Sequence, residues 1–170
     1  MDMMSKNFEI ILRDIRNRRE LMKGSLHEEM LGLELADIKE VVCKPIKEVL
    51  NDEEYQRLEQ RTTSGLQMKE CYSNSLHVVE ALSDIRDDVR YVEGYSLVAN
   101  VLPIIHAWVK VGEDYIDPTF ELVLKKDVTK ETYAALGEYT YDYALSRMAE
   151  WGTYGDVYIQ DNLRKIKNNK

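Results

Sequence analysis

The chain has 170 residues, 44% hydrophobic and 32% charged, the balance of an ordinary folded domain and not of a disordered segment. Asp and Glu number 31 against 23 Lys and Arg, a net charge of -8, which is the wrong overall sign for a protein that neutralises phosphates along nucleic acid. Two cysteines cannot make a disulfide framework, and no run of about eighteen apolar residues offers a membrane span.

With 8 Gly and 3 Pro, few turns are enforced and helices should dominate. The opening residues, MDMMSKNFEI, lack the basic-then-apolar order of a secretory signal, so both thiols are expected to be free in a reducing cytoplasm. Residues 5–60 read as helical. Phe8, Ile11, Leu12 and Ile15 form one apolar stripe, and Arg13, Arg16, Arg18 and Arg19 lie on and beside it. That cluster is either a solvated face or a contact for a partner or phosphate. A second periodic segment covers 26–42 and should break at Pro45; Asn51 and Asp52 open a short helix reaching about Arg61.

At Thr62-Thr63-Ser64-Gly65 a turn cluster marks the start of the chemically interesting region. Residues 71–82 read as a helix. Residues 90–101, rich in Tyr and Val and interrupted at Gly94, read as a strand, followed by strands at 104–111 and 115–119. Gly112-Glu113-Asp114 predicts an antiparallel hairpin between the last two. Residues 129–150 read as a helix capped by Thr129, residues 154–159 as a late strand, and 161–170 as a fraying tail. The expected layout is one α+β domain over 1–170: a helical N-terminal extension (1–62), a core (63–160) and a polar tail (161–170).

Cys71 falls at a predicted helix start, where unpaired N–H groups and the helix dipole favour a thiolate. A thiolate nucleophile needs an imidazole, and three histidines compete. His27 lies in the charged N-terminal region. His77 follows Cys71 by about 600° of helical rotation and points away. His106 remains, and Asp117 falls at a nearly facing position across the predicted hairpin. Cys43, amid Val41, Val42 and Pro45, reads as a core thiol. Zinc ligation by Cys71, His77 and His106 has no supporting spacing, and no Gly-rich phosphate loop is present.

The words CYSNS (from Cys71), YVEGY (Tyr91 to Tyr95), HAWV (His106 to Val109) and IDPT (Ile116 to Thr119) occur in an order that resembles the transglutaminase-like cysteine enzyme superfamily, a branch of the papain-like fold, and its small bacterial and phage members in particular. The resemblance covers roughly residues 67–120. It implies a small antiparallel sheet packed on the Cys-bearing helix, with Cys71 as nucleophile, His106 as general base and acid, and Asp117 as the residue orienting His106. The functional expectation is a cytoplasmic thiol hydrolase of a bacterium or phage-infected cell, acting on an amide or related acyl bond of a protein, peptide or small amide through a thioacyl intermediate, with no cofactor; water is the default acceptor, and the family's substrate is not carried over. Acyl transfer to an amine and a non-catalytic binding or inhibitory protein of the same fold are the alternatives; a nucleic-acid-acting protein using the arginine cluster is a third. Gln67 could add a side-chain amide to an oxyanion site otherwise served by the Cys71 N–H. Asn74 either bonds backbone near the helix start or touches substrate, and Glu93 is either a strand-face charge or a substrate contact. Trp108 shares strand parity with His106 and is expected to pack beside the site. The calcium sites and flanking β-domains of larger transglutaminases have no room here.

Overall fold

The computed structural model describes residues 3–62 and 65–169. The apolar stripe at the N-terminus becomes α1 (Met3–Leu21), whose Ile11 and Ile15 are fully buried against Leu31, Tyr95 and Leu97. α2 (Leu26–Asp37) begins at Ser25, whose hydroxyl accepts the Glu28 N–H. The helical reading of 26–42 ends early, because Lys39–Val41 forms a short strand, β1. α3 (Ile46–Val49) and α4 (Asp52–Thr62) follow Pro45 and the Asn51 cap, whose side-chain oxygen accepts the Glu54 N–H. Thr63 and Ser64 of the expected turn cluster lie outside the described residues.

The second half is α+β. α5 (Cys71–Ser83) leads into β2 (Val89–Val98), β3 (Leu102–Val111) and β4 (Asp114–Ile116). The β3–β4 hairpin closes over Gly112 and Glu113, pairing Val111 with Asp114, and Gly112 supplies the positive φ (61°) of this turn. One turn of π-helix (Thr119–Val123), one of 3₁₀-helix (Val128–Lys130), β5 (Tyr133–Tyr139), α6 (Tyr141–Trp151) and α7 (Val157–Asn168) complete the chain.

Two expectations are overturned here. The predicted helix over 129–150 is a strand followed by a helix that starts only at Tyr141, where the Thr140 hydroxyl accepts the Tyr143 N–H. Ala134, Ala135 and Leu136 favour a helix locally, but pairing with β2 on one side and β1 on the other decides for a strand. The predicted late strand at 154–159 is instead a turn and the start of α7, and residues 161–168 of the predicted fraying tail are the body of that helix; Lys170 lies outside the described residues. Here Tyr158 and Ile166 bury an apolar side that the aromatic, β-branched start conceals.

The strand order is β1-β5-β2-β3-β4, every neighbouring pair antiparallel. Beyond the ends of the ladder, Cys43 bridges Tyr115 and the Lys44 N–H donates to the Tyr115 carbonyl at 2.8 Å, so the sheet curls until its first and last strands nearly meet. One face carries Tyr91, Ala107, Val109 and Val111 against Leu76, Val79 and Leu82 of α5. The other, turned into the curl, carries Val92, Trp108, Tyr133 and Ala135, closed by Cys43, Phe120 and Val128. β2 is continuous through Gly94, and the expected interruption is a one-residue register shift against β5. A Cβ on Gly94 would lie 2.1 Å from the Ala134 carbonyl oxygen and 2.9 Å from the Trp108 ring, so only glycine lets β5 and the indole close there.

Candidate active site

Cys71 is the first residue of α5 and is half-buried. No side chain caps this helix start, and the Asn74 N–H is the first to be spent inward, on the Glu70 carbonyl. The first N–H groups of a helix have no partner within it and lie at the positive end of its dipole. His27 and His77 are exposed, whereas His106 is 2% exposed, its ring stacked on Phe120 at 4.3 Å between centroids and at 6.0 Å from Trp108.

His106 Nε2 meets Asp117 Oδ2 at 2.7 Å, and the Cys71 side chain lies near enough to the imidazole to help raise its pKa. With Nε2 engaged by the carboxylate, Nδ1 is the nitrogen available to the sulfur. Burial alone would lower the histidine's pKa; the Asp117 charge and hydrogen bond overcome it, and with Cys71 they push His106 up to about 10. His106 is then an imidazolium at neutral pH. Asp117 is fully buried and takes two further bonds, from the Phe120 N–H to Oδ1 at 3.0 Å and from the Tyr133 hydroxyl to Oδ2 at 3.0 Å.

The four accessory candidates separate. Asn74 is fully buried: its Oδ1 accepts the Gln67 N–H at 2.8 Å, and its Nδ2 donates to the Gln67 carbonyl at 2.7 Å and to the Thr119 hydroxyl at 3.1 Å. It clamps the segment before Cys71 to the segment after Asp117. Gln67 is thereby fixed through its backbone, and its side chain stands exposed. Trp108 is fully buried, packed against His106 and Tyr133. Glu93, 3% exposed, accepts the Tyr91 hydroxyl and the Val157 N–H on one oxygen and the Tyr158 N–H on the other, so it caps α7 from within the sheet.

Tyr133, Phe120 and Thr119 complete this neighbourhood and escaped the sequence reading. Thr119 and Phe120 follow Asp-Pro directly, and that adjacency is the only local signal they carry. Tyr133 lies in the stretch read as helix, where no local signal points to Asp117. Among the described residues, no three His, Cys, Asp or Glu gather as a metal site, and no helix is long and apolar enough to cross a membrane. The arginine cluster is largely spent within the protein: Arg16 pairs with Glu9, Arg18 with Asp14 and the Tyr95 hydroxyl, and the Arg19 guanidinium packs over Gly32.

Compared with protein-family models, curated proteins and solved structures, the chain matches none.

Proposed function

We propose that this protein is a thiol hydrolase of the papain and transglutaminase-like type, acting on an amide or related acyl bond in a protein, peptide or small-molecule substrate. One observation carries the reading: a half-buried thiol at an uncapped helix start neighbours a buried histidine whose Nε2 is held at 2.7 Å by a buried carboxylate. An imidazolium beside a sulfur is the electrostatic partner that a thiolate needs. The thiolate attacks the acyl carbon, and the N–H groups at the start of α5 receive the developing oxyanion. His106 gives its proton to the leaving nitrogen, the C–N bond breaks, and a Cys71 thioester remains. The now neutral His106 takes a proton from water as that water attacks the thioester. Collapse releases the acid and returns Cys71 as thiolate and His106 as imidazolium. Asp117 keeps the ring oriented throughout.

Hydrolysis is favoured over transfer to an amine because Cys71 is partly open to solvent, so water reaches the acyl-enzyme unless the acceptor excludes it. The setting fits a bacterial or phage-infected cytoplasm, where a free thiol stays reduced. Nucleic acid is not part of the proposal. The test is covalent trapping: iodoacetamide and a panel of acyl-type probes at neutral pH, with adducts located by mass spectrometry and Cys71→Ala as the control. A single adduct at Cys71 is expected. An unmodified Cys71 with every probe would overturn the proposal.

A further inference from the structure

We infer that Tyr133 is a positioning residue of this site, its hydroxyl setting how strongly Asp117 holds His106. The inference rests on the reading of Cys71, His106 and Asp117 as a working group. Tyr133 is fully buried on β5, and its oxygen lies 3.0 Å from Asp117 Oδ2, the same oxygen that His106 Nε2 meets at 2.7 Å. Two donors therefore share one carboxylate oxygen, while the Phe120 N–H holds the other at 3.0 Å. Asp117 is fully buried, so these donors do the work that solvent would otherwise do.

Cys43, also fully buried, packs in the same cluster as Tyr133. One line of hydrogen bonds runs from Tyr133 through Asp117 to His106. A phenylalanine would fill the same space against Trp108 and Phe120 without a polar atom to satisfy, so packing alone does not call for the hydroxyl.

The physical role follows from competition. Each donor on Oδ2 spreads the carboxylate charge, so removing the Tyr133 hydroxyl concentrates that charge on His106 and tightens its hold on the imidazolium proton. The test uses Tyr133→Phe in the full chain and, as a second variant, 3-fluorotyrosine placed at position 133. The His106 ring protons are followed by NMR across the alkaline range, alongside the pH profile of Cys71 alkylation by iodoacetamide. The His106 midpoint is expected to rise by about one unit in Tyr133→Phe, with the alkaline limb of the alkylation profile moving the same way. A folded Tyr133→Phe with an unmoved midpoint would overturn the inference and leave the tyrosine as packing. Should Tyr133→Phe fail to fold, the fluorinated residue decides: its more acidic hydroxyl donates more strongly to Asp117, so a lowered midpoint supports the inference, and an unchanged one overturns it. A wild-type Cys71 inert to iodoacetamide, with the midpoint still moving, would sink the hydrolase reading and leave the tyrosine's hold on the His–Asp pair standing.

Discussion

Asp117 and Glu93 are both buried carboxylates, 0% and 3% exposed, and each accepts three hydrogen bonds. Asp117 serves an imidazole, a phenol and one amide; Glu93 serves a phenol and two amides. Burial raises the Glu93 pKa, and its neutral donors offset this only in part. At Asp117 one donor can carry a full charge, so the same degree of saturation becomes a means of holding a proton on His106. A carboxylate surrounded by amide and hydroxyl donors fixes a helix in place. One that meets an imidazole also holds a proton on the ring.

The strongest test of that contrast replaces each acid by its amide. Asp117→Asn removes the charge that offsets the burial of His106, so the ring turns neutral at pH 7 and Cys71 alkylation slows by about 10³-fold. Glu93→Gln leaves the alkylation rate per folded molecule within about twofold, since it touches neither sulfur nor ring. Equal losses in the two variants would erase the distinction. The pH dependence of unfolding sharpens it. A histidine whose folded pKa is raised to about 10 stabilises the protein fully below its ordinary value and loses that contribution as pH climbs through 10. Wild-type stability, measured by urea unfolding, should fall by a few kcal/mol between neutral pH and pH 10, and Asp117→Asn should lack that decline.

Glu93→Gln is expected to lower stability by about 2 kcal/mol, because its amide nitrogen would replace one of the two acceptors and face either the Val157 or the Tyr158 N–H. Glu93 also carries its own linkage. Its raised pKa makes the folded state less stable as pH rises through that value, and Glu93→Gln should remove the slope. The smallest effect belongs to the exposed Arg16–Glu9 pair, where Arg16→Ala should change stability by less than about 0.5 kcal/mol.

Much of this contrast could be read along the chain, and the missing parts share a cause. The Cys71 helix start, the strand bearing His106 and the two-residue turn that brings Asp117 back are local features, written in spacing and turn residues. Glu93 could be named but not understood, because its partners are amides of a helix more than sixty residues later in the chain. Tyr133 was invisible for the same reason. Its strand state comes from pairing with β1 and β2, and its hydroxyl matters only once Asp117 stands opposite. α7 was misread where the aromatic residues at its start imitate a strand. Interactions between distant segments, which leave no periodic trace, account for each of these.

The closure of the curled sheet at Lys44 and Tyr115 bears on how the protein is made. β1 can pair with no strand until β5 has been synthesised, and β5 is also the strand that brings Tyr133 to Asp117. During translation, Cys71 therefore leaves the ribosome long before the elements that surround its imidazole partner are complete. Assembly of the site is a late event that depends on pairings far apart in sequence. A chain cut short before residue 133 carries Cys71 without the finished surroundings of His106, so the site is complete only once the whole protein has folded.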